Sequence, residues 1–200
     1  VRTAVQDATT ALVTADLTVA ERVISGDARI DELTKEIEQR SFQLLARQAP
    51  VAGELRTVVA VLRMSYSLDR MADLAAHIAK IARLRYPEVA APEPVADQIK
   101  QMAETADSMI ATAITTLENR DAEAAAGLAT ADSKMDELRS DQFHLLLSDD
   151  WEYGVEKAVD TALLGRYYER IADHAVAMGA RTIYIVTGEA PEGENWPSSF

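Results

Sequence analysis

The chain has 200 residues, no cysteine, and 33 acidic against 20 basic residues, for a formal charge of −13. The missing cysteines exclude disulfides, thiol nucleophiles, zinc fingers and iron–sulfur clusters. The acidic balance argues against nucleic acid and anionic membrane surfaces as partners, because both are held largely by Lys and Arg, and favours cations or a basic patch on a protein.

Ala, Leu, Glu, Arg and Met dominate between clusters of proline, and apolar residues recur at three- and four-residue steps. This predicts an all-α chain of six helices over 1–25, 27–48, 51–86, 94–119, 121–148 and 152–188. Pro50 marks the turn between the second and third helices. Leu55, Val59, Leu62 and Tyr66 form a stripe on the third that reads as an inter-helix seam. The Pro-rich stretch 87–94 joins two halves. In the sixth helix Val155, Val159 and Ala162 form the matching stripe. No run is long and apolar enough for a membrane helix, and no signal peptide is legible. The tail GEAPEGENWPSSF reads as loose, with Trp196 and Phe200 as candidate docking side chains.

The chain repeats itself. GLATADSKMDELR (127–139) echoes RVISGDARIDELT (22–34) at an offset of 105, and ERIADHA (169–175) echoes DRMADLA (69–75) at an offset of 100. Each half is then a helical hairpin plus one further helix. The expected organisation is two tandem three-helix bundles related by a pseudo-twofold, 1–88 and 89–188, followed by a tail at 189–200.

Four acid pairs with i,i+4 spacing fall at repeated positions: Asp27/Asp31, Asp69/Asp73, Asp132/Asp136 and Glu169/Asp173. On a helix such residues share a face, where two like charges repel. In so acidic a chain the spacing alone is weak, and the placement carries the argument. With the first tip at Pro50, Asp31 lies 19 residues before it and Asp69 19 after; Asp27 and Asp73 lie 23 before and 23 after. At about 1.5 Å per residue, both pairs stand roughly 28–35 Å from the tip. The second half repeats this around a tip at 152–153. Each half therefore brings four carboxylates to one level. Other pairs fail the test: Glu32/Glu36 faces Leu68 and Met64, and Glu137/Asp141 faces Tyr168 and Leu164.

Four gathered carboxylates need compensation to stay ionised. They are solvated, paired with Arg63, Arg70, Arg166 or Arg170, or bound to metal. All-oxygen donors suit magnesium, manganese, calcium or ferric iron. No Glu-x-x-His pair marks a di-iron oxygenase, and His77 and His174 read as ordinary helix residues. No phosphate-binding glycine loop or nucleophile elbow is present. A glycosidase pair would want aromatic platforms that the composition hardly supplies.

The two repeats, LDRMAD (68–73), YERIADHA (168–175), the acid pairs and the segment RQAPVAGELR (47–56) together resemble the PhoU family of phosphate-uptake regulators. The resemblance covers essentially the whole chain, which starts at Val1 partway into the family's first helix, as a trimmed N-terminus would. It implies a cytoplasmic regulator without enzymatic activity. Such a protein damps uptake through the phosphate ABC transporter and its ATPase, and it quiets the phosphate-sensing histidine kinase of a two-component system. It would be peripheral to the membrane through those partners, with a homodimer allowed. The resemblance also implies multinuclear metal clusters (iron, zinc, manganese or magnesium) at Asp27, Asp31, Asp69, Asp73, Asp132, Asp136, Glu169 and Asp173. Arg47, Arg56 and Arg63, around the first turn, are the expected partner contacts. The second turn, DDWEYG, departs from this pattern. A metal-dependent hydrolase and a metal-free helical adaptor are the rival readings.

Overall fold

A computed structural model describes residues 1–189; Trp196 and Phe200 lie outside the described residues. Six helices follow in order: α1 (Arg2–Thr14), α2 (Leu17–Gln48), α3 (Ala52–Arg85), α4 (Glu93–Asn119), α5 (Ala122–Leu146) and α6 (Gly154–Thr187). Four of the six expected helices stand within a few residues of their predicted ends, and the first two differ at the boundary between them.

The first boundary is the exception. The break falls at Ala15–Asp16, not at Gly26. Ala15 takes the left-handed conformation and its N–H closes onto the Ala11 carbonyl. The Asp16 side chain then accepts the Val19 N–H at 3.0 Å, capping α2. Gly26 sits exposed inside α2 with nothing near its α-carbon. A lone exposed glycine costs a long helix only about 1 kcal/mol, so packing on either side carries the helix through it. The second half repeats the same device 105 residues later: Arg120 is left-handed and Asp121 caps α5 through the Ala124 N–H at 2.9 Å.

α2 packs on α3 and α5 on α6, while α1 and α4 close the bundle against α3 and α6. α3 and α6 lie together through the middle and run antiparallel. At one end the start of α6 meets the end of α3, where Asp160 accepts from Arg85 Nε at 2.5 Å and Glu156 pairs with the same guanidinium. At the other end the Arg56 guanidinium lies against Gly188, which terminates α6. The two hairpin tips therefore point to opposite ends of the molecule.

The two repeats share one core, in which Leu12, Met71, Ile78, Met109, Met135 and Tyr168 are fully buried. Burying a side chain of this size is worth about 1.5–3 kcal/mol. The Tyr168 hydroxyl meets Thr9 Oγ1 at 2.8 Å, tying α6 of one repeat to α1 of the other.

The stripes expected as seams are not core. Leu55, Val59 and Leu62 are half-buried and Tyr66 is 62% exposed; Val155 is 81% exposed and Val159 51%. Buried residues of α3 begin at Ala60 and those of α2 stop at Ser41. α2 and α3, of 32 and 34 residues, outrun the 13-residue α1, so near the first tip the apolar positions of that hairpin meet one neighbour rather than two.

Candidate metal centre

The hairpin geometry brings the predicted acids together. On α2 and α3, Asp27, Asp31, Asp69 and Asp73 are half-buried and close enough to perturb one another. Burial, then the Asp73 and Asp31 charges, hold the Asp27 carboxyl above the usual range against the pull of Lys80 and His77. Burial, then the hydrogen bond and charge it shares with Asp31, and then Asp73 and Asp27, raise Asp69 as well. The neighbouring carboxylates thus make Asp27 and Asp69 harder to ionise. Among the described residues the one ion pair in the cluster is Arg70 Nη1 to Asp73 at 2.5 Å. Thr34 Oγ1 stands 3.5 Å from Asp69. Asp27 Oδ1 is buried with no hydrogen-bond partner.

On α5 and α6, Asp132, Asp136, Glu169 and Asp173 gather in the same way. Asp132 is raised by burial and then by Asp173, Asp136 and Glu169. Its Oδ1 is buried and unpartnered, as at the equivalent Asp27. The surroundings differ. Glu169 is only 8% exposed, and both its carboxylate oxygens are taken: Arg139 donates to one at 2.8 Å and Arg166 to the other. Arg170 lies 3.6 Å from Asp173. Burial raises Asp173, while Arg170, Arg166 and Arg139 pull it back.

Arg139 is the participant that the motif search missed. Its counterpart 105 residues earlier is Thr34, and the counterpart of Arg166 100 residues earlier is Tyr66. Aligning the repeats position by position, rather than by their acids alone, exposes both exchanges.

In their present placement no three His, Asp or Glu side chains among the described residues form a group that could hold a metal ion. The first cluster still fits a cation in its donors: four carboxylates, a single arginine and an orphaned buried oxygen. The second fits less well, because its least exposed acid is already satisfied.

His77 is exposed, with its ring 5.4 Å from Tyr167, and His174 is half-buried beside Tyr66 at 6.5 Å. Burial, then Arg170 and Arg70, lower His174. Of the three tip arginines, Arg47 and Arg63 are exposed, whereas Arg56 is half-buried against Gly188. No helix among the described residues is long and apolar enough to cross a membrane.

Comparison with known proteins agrees with this geometry over both repeats. The PhoU domain family matches residues 1–82 and 99–182. Phosphate-specific transport system accessory protein PhoU homolog 1 of Mycobacterium leprae is 42% identical, covering 98% of this chain and 88% of that protein. Homolog 2 of Mycobacterium tuberculosis is 44% identical, over 94% and 88% respectively. Among solved structures, PhoU from Pseudomonas aeruginosa superposes with a TM-score of 0.88 at 25% identity, covering 94% of this chain and 90% of that one. The phosphate transport system regulatory protein PhoU from Streptococcus pneumoniae gives 0.84 at 26%, over 94% and 88%.

Proposed function

The chain belongs to the PhoU family of phosphate-transport accessory proteins, a family of regulators rather than enzymes, and from that premise we propose that it damps phosphate uptake in the cytoplasm by contacting other proteins. The partners in this reading are the ATPase of the phosphate ABC transporter and the phosphate-sensing histidine kinase of a two-component system. Family membership across both repeats is the observation that carries it.

Asp27, Asp31, Asp69 and Asp73 would hold a metal ion. An all-carboxylate set suits iron, manganese or magnesium, and carboxylates also serve zinc. A bound cation would neutralise the four acids and tie α2 to α3. Burial and the neighbouring carboxylates already hold back the ionisation of Asp27 and Asp69, which supports this reading. The equivalent set Asp132, Asp136, Glu169 and Asp173 would take metal less readily, because Arg139 and Arg166 already serve Glu169. Arg47 and Arg63 remain the exposed candidates for partner contact near the first tip, with Arg56 set behind them.

The test is genetic and direct. Cells lacking the chain should take up phosphate several-fold faster in phosphate-rich medium and switch on phosphate-starvation genes. The wild-type chain should reverse both. Uptake and gene expression unchanged by its loss would sink the reading. If Asp31→Ala plus Asp69→Ala restores regulation as fully as the wild type, the first cluster is dispensable and the metal-free adaptor stands.

A further inference from the structure

Both hairpin tips expose large apolar side chains, in opposite electrostatic settings. At the first, Phe42 is 65% exposed and Val51 73%. Between residues 40 and 63 the sequence has Arg40, Arg47, Arg56 and Arg63 against Glu54 alone. At the second, Leu147 is 83% exposed and Val155 81%. These two, with Phe143, Trp151, Val159 and Ala162, line an open groove of about 440 Å³. Trp151 is fixed there: its indole N–H donates to the Gly154 carbonyl at 2.9 Å, and its ring lies 5.3 Å from that of Tyr153. A pre-set aromatic beside a groove of aliphatic and small side chains is the form of a helix-docking site.

The rim decides what fits. Asp149, Asp150 and Glu152, in the turn around the lining residue Trp151, are exposed, and none is in an ion pair among the described residues. Arg139, whose guanidinium lies 5.4 Å from the centre of the Phe143 ring, and Arg166 are both committed to Glu169, and the only other Lys or Arg between residues 139 and 166 is Lys157. It is committed to the Val89 carbonyl at 3.1 Å and to Glu88 at 3.7 Å. Glu156 and the buried Asp160 are already held by Arg85. The groove is thus apolar along its lining, its nearby cations are committed to other acids, and the free charges at its tip end are anionic. An anionic lipid surface is repelled by that rim, and so is the same face of a second copy.

We propose that the groove at the second hairpin tip docks a basic amphipathic helix of a protein partner, its apolar stripe on Leu147 and Val155 and its Lys or Arg side chains against the acidic rim. None of the eight clustered acids lines this surface, and the inference does not rest on the phosphate reading.

The experiment titrates the full chain against a labelled Leu/Lys peptide of about five helical turns with its leucines on one face. A peptide of the same composition with that spacing scrambled serves as control. The amphipathic peptide should bind at least about tenfold tighter than the scrambled one, a gap of about 1.4 kcal/mol. Leu147→Ser plus Val155→Ser should abolish that difference. Both positions are exposed, so the fold should survive. Phe42→Ser plus Val51→Ser, of comparable exposure at the other tip, should preserve it. A difference that survives the Leu147/Val155 change, or is lost equally in the Phe42/Val51 change, overturns the proposal: attraction to an acidic protein would then be general. Concentration-dependent self-association of the wild type, lost in the Leu147/Val155 variant, overturns it too, because a second copy would be the occupant.

Discussion

The two carboxylate clusters have four acids at equivalent positions, with Glu169 in place of Asp69, and contrasting electrostatic settings. Asp27, Asp31, Asp69 and Asp73 face one another with Arg70 as the only arginine paired among them. Asp132, Asp136, Glu169 and Asp173 share their space with Arg139, Arg166 and Arg170. A repeat thus preserves a backbone scaffold and a ligand pattern while two exchanges, Thr34 against Arg139 and Tyr66 against Arg166, change what the pattern does. The first half leaves its acids with Arg70 as their one recorded arginine partner among the described residues. The second has supplied cations of its own.

The comparison extends along the α3–α6 seam, and its strongest test lies at the end of that seam. Asp160 is 5% exposed and held by Arg85. The positions equivalent to this pair, Ala60 and Ile185, are apolar. Arg85→Ala strands a buried carboxylate and should cost about 3 kcal/mol of unfolding free energy, read from denaturant melts. A cost under 1 kcal/mol would mean that Asp160 is solvated in practice.

A smaller effect separates the two hairpins. A Cβ on Gly179 would stand 2.7 Å from Leu128 Cδ1 and 3.0 Å from the Ala125 carbonyl oxygen. The first half has Ala79 at the equivalent position, fully buried. α5 and α6 therefore approach more closely than a methyl group allows. Gly179→Ala should destabilise by about 2 kcal/mol, seen as a lowered melting temperature. A neutral outcome would show that α5 can move away freely.

Neutralising one acid in each cluster should give opposite signs. Glu169→Gln weakens charged hydrogen bonds from Arg139 and Arg166 and should cost about 1–2 kcal/mol. Asp69→Asn removes a like-charge repulsion and should stabilise the metal-free protein by a few tenths of a kcal/mol near pH 7. The pH dependence follows from linkage. Asp69 is raised above the usual carboxylate range when folded, so its contribution favours the folded state at low pH and is lost as pH rises through that raised value. The advantage of Asp69→Asn should therefore shrink as pH falls through the carboxylate range. Melting curves in chelator at several pH values check this, and an advantage that grows in acid would contradict it.

Much of this was legible in the residues. Counting from Pro50 and from the second turn placed all eight acids at matching heights, because a helix has a fixed rise and a hairpin reflects it. The break at Ala15–Asp16 was legible too, through the repeat: Asp121 was read as a helix start, and 105 residues earlier stands Asp16. A mid-chain glycine drew the boundary instead. The stripes at Leu55–Tyr66 and Val155–Ala162 misled because periodicity shows which positions share a face, not whether a third helix covers it. Arg139 lies outside any pattern of acids, because the neutralising charge arrives from the other helix of the hairpin.

The central claim is that the first cluster is the stronger cation site. Metal-free protein loaded in turn with manganese, iron, zinc and magnesium, then desalted and assayed for bound metal, tests it directly. Asp31→Ala plus Asp69→Ala should remove most of the metal held by the wild type, whereas Asp136→Ala plus Glu169→Ala should leave most of it. Equal losses in the two variants, or a wild type that retains no metal, would contradict the account.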